Sequence, residues 1–206
     1  MKKLLLACLT LFVVTAVNAQ NQTGYQVGDL ASDFNLKNVD GKNVSLASYK
    51  NAKGYIVIFT CNTCPVSKAY ESRKEELHKM YAAKGYPVVA INTNDPVASP
   101  GDTYEKMQER AKEKKFSFAY LLDPDHVYTK KYGALRTPHV FVLQKTAKGN
   151  EVAYIGAIDN DQQLANPQRD NYVQNAVNQL LKGEKPSVAS TKAIGCTIKW
   201  KKEVSK

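Results

Sequence analysis

Residues 55–65 read Tyr55-Ile56-Val57-Ile58-Phe59-Thr60-Cys61-Asn62-Thr63-Cys64-Pro65. Five apolar, β-favouring residues run without interruption, as in a strand buried on both faces. The strand ends at Thr60, and two cysteines follow with two residues between them. From Pro65 the period changes: Val66, Tyr70, Leu77, Met80 and Tyr81 recur at helical spacing, which predicts a helix of about five turns. Arg73 is the one charged residue on that apolar stripe. It is expected to pair with a buried carboxylate or to line the rim of a site.

The junction carries the chemistry. A thiol attacks only as its thiolate, and a helix N-terminus favours the anion through free backbone N–H groups and the helix dipole. Cys61 takes that position. Cys64, one turn further on, is within reach of a disulfide and more shielded. Cys61 is thus expected to attack a substrate disulfide and Cys64 to resolve the mixed disulfide, with the cycle reversed for an oxidant. The same spacing also serves half of a zinc site or an ordinary disulfide. Zinc would need Cys196 with His126 or His139, and no second close pair exists.

Working outward, Asp33-Phe34-Asn35-Leu36 and Asn43-Val44-Ser45-Leu46 flank Asp40-Gly41, an N-terminal hairpin pattern. After the helix come a strand at Pro87–Ile91 and a second helix, whose start is signalled by Asp102 with Glu105 three residues later. Phe118–Leu122 reads as extended, Val127–Tyr132 as a short helix closed by Gly133, and Val140–Leu143 as a strand led in by Thr137-Pro138. Val152–Ile155 is the last strand, and Tyr172–Leu181 a helix stopped by Gly183 and Pro186. Asn94-Asp95-Pro96 reads as a turn. Residues 184–206 lose all periodicity and are expected to form an extended tail docked at Ile194–Trp200.

The first residues form a separate unit. Lys2 and Lys3, the apolar run Leu4–Val17 and the small-residue site Val17-Asn18-Ala19 are the parts of a secretory signal peptide cleaved after Ala19. The run is short of the ~20 residues a spanning helix needs. A lipoprotein reading at Cys8 would leave only Leu4 to Ala7 before the cysteine. The expected organisation is therefore a signal peptide at 1–19, one domain at 20–183 and a tail at 184–206, with a periodic α/β fold and a periplasmic or secreted location. No integral membrane segment is expected in the mature chain. Loss of Lys2 and Lys3 takes the formal charge from +10 to +8. The lysines are dispersed, which points to a solvated basic surface and not to a nucleic-acid module. Cys61, Cys64 and Cys196 remain, an odd number that argues against a disulfide-stapled scaffold.

The apolar strand, the CxxC, the helix and Thr137-Pro138 before a strand together resemble the thioredoxin superfamily. From Gly28 to about Lys202 the chain resembles its CxxC-containing, peroxiredoxin-like branch, the redoxins of alkyl hydroperoxide reductase and thiol-specific antioxidant type. The matching stretches are Phe59–Pro65, Ala90–Asp95, Tyr132-Gly133-Ala134 with Thr137-Pro138, and Gly195-Cys196-Thr197-Ile198-Lys199-Trp200. The resemblance implies a thioredoxin-like α/β fold, a central mixed sheet flanked by helices. It also implies a cis Pro138 facing the sulfurs, with the Thr137 backbone beside them to pair with an extended substrate. Thr60, Pro65, Thr137 and Pro138 would shape the groove. Cys196 would be an accessory thiol or a buried apolar residue.

The expected activity is that of a thiol–disulfide oxidoreductase whose only redox group is the Cys61–Cys64 disulfide, with no other cofactor and no metal. Its partners would be protein or small-thiol disulfides and an upstream thiol donor. A thiol peroxidase is the rival: Cys64-Pro65 resembles the peroxidatic cysteine–proline step, and Arg136 or Arg73 would stabilise the anion. The peroxidase pattern has threonine three residues before that cysteine and proline four before the threonine, where this chain has Cys61 and Val57. A copper-binding assembly factor is the second rival, with His139 as third ligand, although in such proteins three residues separate the cysteines. His139 is otherwise expected to be partly exposed, and His78 and His126 at the surface.

Overall fold

The computed structural model describes residues 24–163 and 165–202; the expected signal peptide lies outside them. In chain order the elements are β1 (Leu30–Ala31), β2 (Leu36–Asn38), β3 (Asn43–Val44), β4 (Gly54–Thr60), α1 (Pro65–Ala69), α2 (Glu71–Tyr81), β5 (Val88–Asn92), α3 (Tyr104–Lys114), β6 (Ala119–Leu122), α4 (Val127–Tyr132), β7 (Arg136–Thr137), β8 (His139–Thr146), β9 (Gly149–Gly156), α5 (Tyr172–Leu181) and β10 (Cys196–Thr197). Eight strands make one sheet in the order β1-β9-β8-β4-β5-β6-β2-β3, and β10 pairs with β7 separately.

β4 sits at the middle, parallel to β5 and antiparallel to β8, with every residue buried. Its alternation divides the core. Ile56 and Ile58 face a cluster with Leu77 of α2, Met107 of α3 and Val173 and Val177 of α5. Tyr55, Val57 and Phe59 face the opposite cluster with Tyr132, Phe141, Val152 and Ile198. Burial of each such side chain is worth roughly 1.5–3 kcal/mol, and both faces are covered, so the strand shows no polar alternation. This is the thioredoxin-like α/β fold that the central strand and its CxxC imply.

The predicted hairpin exists as β2 and β3, and β2 continues the sheet by pairing with β6. The predicted strands β5, β6, β8 and β9 and helices α4 and α5 are in place, and Gly133 closes α4 with φ +75°. Two readings need correction, and one strand is new. The single five-turn helix is broken at Tyr70 (φ −90°, ψ 5°), whose hydroxyl donates to Asp159 at 2.8 Å. Asp102 does not cap α3; Thr103 does, accepting from the Lys106 N–H, while Asp102 is fully buried in a short 3-10 turn, Pro100–Asp102. β1, too short to carry a period, pairs with β9. No helix among the described residues is long and apolar enough to cross a membrane.

Candidate active site

β4 ends at Thr60 with Cys61 just beyond it, and Cys64, not Cys61 as expected, takes the helix N-terminus as the N-cap of α1, with Pro65 exposed in the first turn; the two cysteines are equally buried. Proline fits there because the N–H it lacks would have no helical partner. Opposite lies Thr137-Pro138, a cis peptide between β7 and β8. Cys61 Sγ is 3.3 Å from Thr137 Oγ1, and Cys64 Sγ is 3.3 Å from the Thr137 carbonyl oxygen. Cys61, Cys64, Thr60 and Thr137 are all buried. Of the expected groove residues, Thr137 is the one that contacts both sulfurs.

The expected redox-active disulfide joins Cys61 to Cys64; in this structure the disulfide is Cys64–Cys196, with Cα atoms 6.0 Å apart, and Cys61 is a free thiol. The reason is placement. β10 runs antiparallel to β7 with Cys196 opposite Thr137, which carries the third thiol onto the same residue that faces the other two. Docking of the tail is as expected. Lys199 N–H donates to Asn94 Oδ1, the Asp95 N–H donates to the Lys199 carbonyl, and Ile198 enters the core.

The dipeptide between the cysteines is pinned by a buried carboxylate that the sequence pattern did not reveal. Asp102 accepts from the Asn62 N–H (2.5 Å), the Thr63 hydroxyl (2.7 Å), the Ser99 hydroxyl (2.7 Å) and the Asn92 and Asn94 amides. Tyr120 donates to Asn62 Oδ1 at 2.8 Å, and burial raises its phenol well above the usual range. So Asn62 and Thr63, though uncharged, are fixed in orientation. Asp102 was masked by its resemblance to a helix cap.

Two basic residues lie under the motif. Arg73 meets the expected buried carboxylates, Asp159 and Asp161, at 2.5 and 3.4 Å. Lys74, unremarked in the sequence pattern, is 2 % exposed and donates to Thr60 Oγ1 at 3.0 Å. Burial pulls its ammonium down to about 8; Glu71 and the Cys61 sulfur act upward, and Arg110 downward.

The anion-binding roles proposed for the arginines are not present in this geometry. Arg73 is engaged by the two aspartates, and Arg136 donates from Nη1 to the Gly195 carbonyl in the tail at 3.0 Å. His139 is buried, not partly exposed; burial pushes it down to about 4, and its Nδ1 accepts from the Leu135 N–H. No group of three His, Cys, Asp or Glu residues able to hold a metal ion occurs among the described residues. His126 is also buried, because Trp200 packs on it and its Nε2 accepts from the Lys201 N–H; His78 is half-buried and accepts from the Val88 N–H.

A thioredoxin-like sheet whose central strand ends in CxxC, with a cis proline facing the sulfurs, defines a thiol–disulfide oxidoreductase of the thioredoxin superfamily. More closely, the chain belongs to the AhpC/TSA family, whose sequence profile matches residues 27–155. It is 26 % identical over 149 residues to the thiol-disulfide oxidoreductase ResA of Geobacillus thermodenitrificans (strain NG80-2), covering 72 % of this chain and 80 % of that protein. Among solved structures, a hypothetical protein from Sinorhizobium meliloti 1021 is similar with a TM-score of 0.78 and 31 % identity, over 86 % of this chain and 96 % of that one. An uncharacterized conserved protein from Geobacillus kaustophilus is similar with a TM-score of 0.80 and 31 % identity, over 87 % and 94 %.

Proposed function

We propose that this chain works outside the cytoplasm, cycling Cys61 and Cys64 between dithiol and disulfide against protein or small-thiol substrates, with an upstream thiol donor completing the cycle. The observation that carries the reading is the convergence of both cysteines on Thr137, beside the cis Pro138. In this cycle the Cys61 thiolate attacks a substrate disulfide and Cys64 displaces the substrate from the mixed disulfide. Asp102 holds the Asn62 N–H and the Thr63 hydroxyl, and Tyr120 holds the Asn62 side chain, which keeps the dipeptide between the two sulfurs in one orientation. Export is supported by Lys2 and Lys3, the apolar run Leu4–Val17 and the Ala19 site at the start of the sequence.

The test is equilibration with glutathione buffers, read by thiol trapping and by the fluorescence of Trp200, which packs against His126 beside the tail. A reversible two-electron equilibrium is expected that disappears when Cys61→Ser or Cys64→Ser is combined with Cys196→Ser, and its potential assigns the direction of the cycle. A protein whose thiols show no such equilibrium overturns the reading.

A further inference from the structure

In the described residues the two motif cysteines are 3 % and 4 % exposed, whereas Cys196 is half-buried. What covers the pair is the chain's own tail. β10 lies along the backbone just before the cis Pro138, with Cys196 opposite Thr137 and Thr197 opposite Arg136. An extended peptide gains affinity at such an edge by adding a strand through main-chain hydrogen bonds, and that edge is taken. Gly195 sits so close that a Cβ on it would collide with the Thr137 carbonyl and the Pro138 nitrogen. Arg136 holds the Gly195 carbonyl, Ile198 is buried, and Lys199 is tied at both its N–H and its C=O. The tail also presents a cysteine that is disulfide-bonded to the site. Backbone pairing and a disulfide at the sulfurs are together what a bound substrate would supply.

We propose that residues 194–200 are a built-in stand-in for the substrate and that Cys196 is a third exchanging thiol, so that rearrangement of its disulfide controls access to the groove. This rests on Cys61 and Cys64 being the exchanging pair. In the step, the Cys61 thiolate attacks Cys64 Sγ. The Cys61–Cys64 bond forms, the Cys64–Cys196 bond breaks, and the electron pair of the broken bond leaves on Cys196. The proton given up by the Cys61 thiol is taken up by the Cys196 thiolate. One disulfide replaces another, with no oxidant or reductant consumed. Freed of its covalent tie, the tail is held by its hydrogen bonds and Ile198 alone, and the Thr137 edge opens to an extended protein thiol. While the tie is intact, only the open fraction of molecules accepts such a substrate, and apparent affinity falls by that fraction.

The experiment uses the oxidised full chain, Cys196→Ser, Gly195→Val and Cys61→Ser. Peptide mass mapping locates the disulfides, and oxidation rates are measured with two probes, reduced unfolded ribonuclease and reduced glutathione. Wild type is expected to hold both Cys64–Cys196 and Cys61–Cys64 isomers, and Cys61→Ser only the first. In Cys196→Ser the Cys61–Cys64 disulfide forms and ribonuclease is oxidised at least about tenfold faster than by wild type, since the covalent tie that keeps the tail closed is removed. The glutathione rate should move far less, because a small thiol needs no strand pairing. Gly195→Val, which keeps the thiol but evicts the tail, should act in the same direction, with faster hydrogen exchange across 194–200 as an independent reading. Cys196→Ser that forms Cys61–Cys64 and oxidises glutathione, yet treats ribonuclease as wild type does, overturns the tail proposal and leaves the exchange function standing. Failure to form Cys61–Cys64 or to oxidise either probe in that variant overturns both.

Discussion

Arg73 and Lys74 are neighbours on α2, equally buried at 3 % and 2 %, yet their surroundings differ in kind. Arg73 is neutralised by Asp159 and Asp161 and stacks its guanidinium 4.9 Å from the Tyr70 ring centroid. Lys74 has no ion pair among the described residues. Glu71, which acts on it electrostatically, gives both carboxylate oxygens to Arg110 at 2.8 Å, leaving the Thr60 hydroxyl to accept from the ammonium. A paired buried charge is an anchor, because removing one member strands the other. An unpaired one costs stability, and its place beside the first cysteine makes it a charge available to a thiolate.

The largest effect expected from this contrast is on the anchor. Arg73→Met leaves Asp159 and Asp161 without their guanidinium, at a cost of about 3 kcal/mol. That is the low end for a broken buried pair, since the Tyr70 hydroxyl and Arg169 still serve Asp159. Urea denaturation at neutral pH measures it. A loss under about 1 kcal/mol would place Arg73 among ordinary surface ion pairs.

The opposite sign is expected next door. With its pKa lowered from 10.5 to about 8 by burial, Lys74 binds fewer protons folded than unfolded between those two pH values, so wild-type stability rises with pH across that window. Below about pH 8 the cost is fully present, on the order of 3 kcal/mol. Lys74→Met removes it and forfeits the Thr60 hydrogen bond, worth about 1 kcal/mol. The variant should therefore be about 2 kcal/mol more stable at pH 7, with the difference shrinking steadily from pH 8 to 10.5. Paired denaturation curves at several pH values read this directly, and a gain that does not vary with pH would separate it from the ammonium.

These two residues also show how far the sequence could be read. Arg73 interrupted an apolar helical stripe, and a charge there has to find a buried partner, so its pairing followed from periodicity alone. Lys74 falls at the margin of the stripe, where a lysine ordinarily reaches solvent, and the Phe116 ring from elsewhere in the chain lies 6.0 Å from its ammonium. No local signal records that. The same division runs through the site. The strand, the CxxC, the helix and Thr137-Pro138 carried local patterns strong enough to fix the central fold. Asp102 could not be recognised, because three residues before a glutamate it mimics a cap, and its five donors come from residues 62 to 99. Docking of the tail was legible from its lost periodicity and Trp200. The partner of Cys196 was not, since only the pairing of β10 with β7 decides which sulfur it meets.

The smallest expected effect is kinetic. The Cys61 sulfur is itself one of the groups acting on Lys74, so negative charge that develops at that sulfur in the reacting state meets a buried ammonium. Attack by Cys61 on a small disulfide should slow about tenfold in Lys74→Met, the consequence of losing roughly 1.4 kcal/mol of charge stabilisation in the reacting state. Arg73→Lys, which keeps the charge already spent on Asp159 and Asp161, should leave that rate within about twofold. The comparison is sharp because the two variants change adjacent positions, and Lys74→Met is expected to gain stability while losing rate. A fold defect would lower both. Stopped-flow reaction of the reduced protein with oxidised glutathione, followed by mass mapping of the first cysteine modified, measures attack at Cys61 separately from attack at Cys196. Equal rates in wild type and Lys74→Met would show that the buried ammonium does not act on the sulfur, and the contrast between the two cations would then be one of stability alone.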